Sequence, residues 1–208
     1  MIIDNCYLER IRQDALNSGN VDWKEKIFNL ENIEGACLLS KLKLSYQASS
    51  PLLERWIKHR LGILPAQNET SGDGLYYNKI TLLSTTTEIK VSLGTKTNED
   101  YNFVQIRPDH DIDTYLFLTY NMKDNKCLWF DIPSADVYEL LPEYGGYAHG
   151  TLKVNGKITP GNLFGKGYEY ALRPSCNPRQ KKKNELWNIM QKYAHDNYND
   201  FIYKYNGE

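Results

Sequence analysis

The chain has no run of about 18 apolar residues, so no membrane span is expected. Its opening stretch, MIIDNCYLERIRQD, carries charges where a signal peptide needs an apolar segment. The cytoplasm is therefore the expected compartment. Cysteine is scarce and scattered. Cys6, Cys37, Cys127 and Cys176 form no CxxC and no Cys/His pair at zinc-ligand spacing. Reduced, mostly buried thiols are expected rather than disulfides. A surplus of one charge sign is also missing. The formal net charge of -1 argues against a protein that coats nucleic acid through bulk positive charge. It leaves an enzyme possible, because basic groups can still gather on one face. Internal repeats and long low-complexity segments are absent.

What is present is the balance of a globular domain. The 208 residues suffice for one good core and are few for two ordinary domains. Hydrophobic residues make up 41% and charged residues 25%. The 16 tyrosines suit a surface that contacts a polar partner.

The part up to about Leu64 reads as helical. Tyr7, Ile11 and Leu16 recur near helical spacing, and a second stretch runs roughly from Ile33 to Leu44. A third helix is expected to start at Ser50 as cap, with Pro51 first in the helix. Leu52, Leu53, Trp56, Ile57 and Leu61 form its apolar stripe, and Gly62 is its stop. Between Leu75 and Phe130 the chain turns rich in Thr, Tyr, Val, Ile and Phe. Strands are expected near 75–83, 86–93, 102–107, 113–121 and 126–131, with a hairpin turn at Asp124-Asn125-Lys126. A short helix after Pro133 carries Val137, Leu140 and Leu141. A Gly-rich loop, Tyr144 to Gly150, follows it. A short strand at Glu169 to Arg173 precedes a last helix over about Lys182 to Tyr205. Helices, then a strand-rich block, then a helix predict an α/β fold with a central mixed sheet flanked by helices.

The residues that carry chemistry are Ser71-Gly72-Asp73-Gly74 and Thr87-Glu88-Ile89-Lys90-Val91-Ser92. On a strand, side chains alternate faces, so Glu88 and Lys90 point one way while Ile89 and Val91 enter the core. A solvated strand face would show the same alternation. Asp73 adds specificity, because a tight Gly-Asp-Gly turn at the start of the preceding strand can bring it beside Glu88.

These residues resemble the PD-(D/E)XK nuclease superfamily. Glu88-Ile89-Lys90 matches the E-x-K half of its motif, and Asp73 matches the aspartate of the other half. Gly72 stands where the motif often has proline. The resemblance implies a restriction-endonuclease-like core and hydrolysis of phosphodiesters with Mg²⁺, held by Asp73, Glu88 and the Ile89 carbonyl. Lys90 would lie near the attacking water and the phosphate, offsetting developing charge or acting as a base. Many members place a carboxylate on the helix before the catalytic strands, which points to Glu54 as a further catalytic group. An exposed glutamate near a helix N-terminus is the alternative. Gln105 is read first as a core glutamine, with orientation of Lys90 as its alternative. Asp113 is read as a turn or surface acid.

A weaker likeness to type II restriction endonucleases extends over roughly residues 50 to 190, including Asn102 to Pro108 and the loop Tyr147-Ala148-His149-Gly150-Thr151. It implies double-stranded DNA as the partner, with Arg107, His149, Lys153, Arg173, Arg179, Lys181 and Lys182 holding phosphates or reading bases. Lys157 and Lys166 belong to the same set. One chain then forms a single nuclease domain over 1–208. Residues 1–49 are a helical N-terminal part, 50–131 a catalytic core, and 132–208 the DNA-contacting loops and C-terminal helix. A homodimer is expected, since one site per chain must serve two strands. A cognate methyltransferase is expected as a genetic partner. Two other readings stay open. One is a repair, recombination or mobile-element nuclease acting on branched or nicked DNA. The other is a non-catalytic nucleic-acid-binding or protein-interaction module with a chance E-x-K.

Overall fold

Four helices open the chain in a computed structural model that describes residues 5–17, 19, 21–77, 83–95, 97, 99–148 and 157–195. They are α1 (Asn5–Asn17), α2 (Trp23–Phe28), α3 (Ile33–Lys43) and α4 (Tyr46–Leu61). Asp22 caps α2 by accepting the Lys24 and Glu25 amides. Asn32 caps α3 by accepting the Gly35 amide at 2.8 Å. Gly62, at φ 64, closes α4 in the left-handed conformation that glycine adopts without a Cβ clash. The start of α4 differs from the expected one. Ser45, not Ser50, is the cap residue, and Pro51 lies inside the helix. Pro51 removes only one amide bond this close to the N-terminus. The extra turn is tied down by Ser49, whose hydroxyl bonds the carbonyls of Ser45 at 2.9 Å and Ser40 at 3.3 Å.

Nine strands are found among the described residues. They are β1 (Leu64–Pro65), β2 (Gly74–Tyr77), β3 (Ser84–Ser92), β4 (Phe103–Ile106), β5 (Thr114–Asn121), β6 (Lys126–Pro133), β7 (Gly146–Tyr147), β8 (Tyr170–Leu172) and β9 (Ala194–His195). Two further helices are α5 (Ser134–Tyr144) and α6 (Lys181–Met190). The fold is α/β with a mixed central sheet of order β1-β2-β3-β5-β6-β9. Only β3 and β5 are parallel; the other neighbours are antiparallel. The expected hairpin joins β5 to β6, with Asn125 at φ 48 in its turn.

Strand β5 explains the layering. Its residues are buried on both faces, so its two side-chain sets feed two cores. Leu116, Leu118 and Tyr120 join Ile89, Val91 and Trp129 under α1 to α4. Tyr115 and Phe117 point the other way and pack with Phe130, Val137, Leu141, Leu186 and Met190. The sheet is thus covered by the N-terminal helices on one face and by α5 and α6 on the other.

Two expectations fail here. The strand around 102–107 leaves the central sheet and forms a second sheet of order β4-β8-β7. The last helix ends at Met190, not near Tyr205. The chain then makes a 3-10 turn over Gln191–Tyr193 and adds β9 to β6. Pairing of Ala194 with Phe130 supplies hydrogen bonds at a sheet edge that a longer helix would leave open. Residues beyond 195 lie outside the described set. Of the cysteines, Cys37 and Cys127 are buried as expected, but Cys6 is exposed and Cys176 only half-buried; all four are free thiols. No helix among the described residues is long and apolar enough to cross a membrane.

Candidate active site

The turn before β2 is built by its own short side chains. Asn68 Oδ1 accepts the Thr70 amide at 2.9 Å and the Ser71 hydroxyl at 2.9 Å. Gly72 follows at φ 67. A Cβ there would come within 2.8 Å of the Thr87 carbonyl oxygen. Proline, fixed near φ -65°, is excluded at this position. Glycine, rather than the proline often found at this place in the motif that Asp73 resembles, is therefore what this turn requires. Gly72 lets Asp73 lie against β3, where its amide donates to the Thr87 carbonyl at 2.9 Å. Its carboxylate Oδ2 accepts the Ile89 amide at 2.9 Å.

That second bond is available because β2 pairs with β3 only from Ser84 to Thr87. Beyond Thr87 this edge of β3 has no strand partner among the described residues. Amide and carbonyl of one strand residue face the same edge. The Ile89 carbonyl therefore faces the side on which Asp73 lies. Glu88 and Lys90 project together, and the Lys90 ammonium donates to Glu88 Oε1 in a pair whose side chains are 11% and 13% exposed. Ile89 and Val91 are core residues, as expected.

Helix α4 packs against β3 and brings two groups to this edge. Lys58 donates to the Asp73 carboxylate and to its carbonyl, both at 3.3 Å. Glu54 lies one turn earlier. Burial pushes its carboxyl up to about 7, and the charges of Asp73 and Glu88 push the same way. Lys90 and Lys58 oppose them, Lys90 more strongly than Glu88 pushes. Glu54 is thus half-buried at the site, and not the exposed helix-start glutamate of the alternative.

No family model, curated protein or solved structure matches this chain.

The site must therefore be judged on its own chemistry. The charges of Asp73 and Glu88 act on Glu54, and the ammonium groups of Lys90 and Lys58 offset them. Among the described residues, no three His, Cys, Asp or Glu side chains stand together as a ready metal cage. The donors are nonetheless of the right kind. Carboxylate and carbonyl oxygens are the donors that a hard divalent cation takes, and Asp73, Glu88 and the Ile89 carbonyl supply such donors at this edge.

Lys58 was not among the residues singled out from the sequence. Its position four residues after Glu54 was the available signal, since that spacing shares a helix face. Gln105 is exposed rather than in the core. Strand β4 carries a bulge between Phe103 and Ile106, and Gln105 occupies it at φ 59. That conformation costs about 1–2 kcal/mol in a residue other than glycine. The bulge turns Gln105 out of the strand's alternation and into a cavity that Lys90 also lines.

The expected DNA contacts are not gathered at this edge. Arg107 is held by Glu169, with Nε at 2.8 Å from the carboxylate. Arg173 is exposed in a hollow also lined by Lys182 and Lys183. Lys182 pairs with Glu143 at 2.8 Å. Arg179 and Lys181 are exposed just before and at the start of α6, and Lys157 and Lys166 are exposed in the preceding loop. His149 and Lys153 lie outside the described residues. Asp113 is exposed and accepts the Thr86 amide at 2.8 Å, a strand-entry clamp.

Proposed function

We propose that this chain is a Mg²⁺-dependent nuclease of the PD-(D/E)XK type that hydrolyses phosphodiester bonds in duplex DNA, as a type II restriction endonuclease. One observation carries the proposal. Asp73 is bonded to the amide of Ile89, the residue between Glu88 and Lys90, so both halves of the motif meet on the open edge of β3. A restriction-endonuclease-like core is proposed on the same placement, with the aspartate turn and the E-x-K strand adjacent and helix α4 delivering Glu54.

In this proposal Asp73, Glu88 and the Ile89 carbonyl hold Mg²⁺. When bound, the ion polarises the phosphate and acidifies an attacking water. The chain's own groups do the rest. Lys90 sets a positive charge beside the reacting phosphate, where it offsets charge that grows in the transition state. Glu54, with its carboxyl about 7, exchanges a proton near neutral pH and serves as an acid or base for the attacking or leaving oxygen. Two chains act together, because each carries one such site and duplex cleavage needs two. The basic groups Arg173, Lys181 and Lys182 hold phosphates outside the site.

The test is digestion of a large, unmethylated DNA of known sequence by the purified protein in Mg²⁺, beside Lys90→Ala and an EDTA control. Discrete bands lost in both controls are expected. A smear lost in both controls would move the protein to the structure-specific nucleases. No cleavage on any methylation state, with Lys90→Ala binding DNA like the wild type, would overturn the nuclease assignment.

A further inference from the structure

A cavity lies beside the carboxylates. It measures about 410 Å³, within the range of small-ligand pockets. Lys90 and Glu54 form the wall shared with the catalytic edge. Pro51, Val91 and Phe103 give it apolar sides. Two features mark its polar lining. Asn102 lines the cavity, and its Oδ1, covered from solvent in this structure, has no hydrogen-bond partner among the described residues. Buried acceptors are almost always paired, and one left alone is costly. Gln105, across the β4 bulge, is held in the left-handed region with its side chain exposed to the cavity. Backbone strain of this kind is retained where the side chain has work to do. Tyr46 completes the arrangement. It is 50% exposed, lines the cavity, and its hydroxyl donates to the Asn102 carbonyl at 3.4 Å.

We propose that this cavity receives one nucleobase bearing an exocyclic amino group, displaced from the stack next to the phosphate being cut. The base would lie against Tyr46, whose half-exposed ring is a stacking surface. Once the Asn102 side chain turns its covered Oδ1 toward the base, the amino group would donate to that oxygen, and the Gln105 amide would complete the reading of its edge. Adenine, cytosine and guanine carry such a group; thymine does not. Asn102, Gln105 and Tyr46 are then specificity-determining residues. The inference rests on the nuclease assignment for the phosphate, while the base site stands on the cavity itself.

The two are separable by experiment. Binding of dAMP, dCMP, dGMP and dTMP to the full chain in Mg²⁺ is followed by NMR titration, with plasmid cleavage measured in parallel. At least one amino-bearing nucleotide is expected to bind tenfold or more tightly than dTMP. Asn102→Ala should bring it to the dTMP level with little change in melting temperature, because the Oδ1 it removes has no partner among the described residues. Gln105→Ala should weaken it severalfold, a second check should Asn102→Ala fold poorly. Equal binding of all four nucleotides, no binding of any, or unchanged binding in both variants overturns the base site. Where the plasmid is still cut, that result leaves the nuclease standing. An intact plasmid with the expected nucleotide order would remove the nuclease assignment and keep the base site.

Discussion

Asp73 Oδ2 accepts the Ile89 amide at 2.9 Å, so a turn before one strand is bonded to the centre of the next. A single hydrogen bond thereby sets the aspartate against Glu88 and Lys90. It also separates two roles of Asp73. Asp73→Asn keeps an oxygen to accept the Ile89 amide but loses the charge. It should melt close to the wild type and lose Mg²⁺-dependent cleavage. Asp73→Ala loses both, and should be less stable by about 1–2 kcal/mol. Urea melts and plasmid nicking of the two variants check this. An Asp73→Asn protein that cuts normally would remove Asp73 from the metal site.

Glu54 predicts a pH dependence. Its carboxyl is raised from 4.5 to about 7 in the folded protein, by burial first and then by the Asp73 charge. Between those values the native state holds a proton that the unfolded chain has released. Stability from this group is therefore highest at low pH and falls as pH rises through about 7. Glu54→Gln should be more stable than the wild type near pH 8, with the difference shrinking towards pH 5. Parallel stability profiles for the two proteins would show that Glu54 is not a buried, raised acid.

Lys58 stands where a cation would compete with it. Its ammonium is 3.3 Å from the Asp73 carboxylate, with side chains 34% and 22% exposed. A pair this open is worth about 0.2–1 kcal/mol. Lys58→Met should therefore lower the Mg²⁺ concentration for half-maximal nicking by a factor of about 1.4 to 5. Loss of nicking at every Mg²⁺ concentration would instead put Lys58 on the phosphate.

Gly72 allows no side chain. At φ 67, and with the Thr87 carbonyl 2.8 Å from where a Cβ would sit, Gly72→Ala carries both strain and a clash. A loss of at least about 1–2 kcal/mol is expected, with weaker cleavage because Asp73 is displaced. Gly72→Pro should be worse, since its φ has the wrong sign. A fully active Gly72→Pro would refute this account of the turn.

The sequence by itself determined the α/β class, the helical first part and the alternation of Glu88 and Lys90 with Ile89 and Val91. These are local properties. A period of two or of about 3.6 follows from backbone geometry within one segment. The Gly-Asp-Gly turn was legible for the same reason, because its conformation is set by the residues in it. Only the tertiary structure decided the rest. Nothing local shows that β2 begins opposite Thr87 and leaves the Ile89 edge of β3 open among the described residues, since that depends on which distant residues pair. The same holds for the departure of β4 into a second sheet, where a bulge turns Gln105 from an expected core position to the cavity. The last helix looked longer because its apolar stripe runs past Met190. The hydrogen bonds that β6 offers at its edge outweighed that stripe and drew Ala194 and His195 into a strand. The charge pattern at the site is likewise a matter of packing. Burial of Glu54, and the partnership of Lys58 with Asp73, arise only when α4 lies against β3.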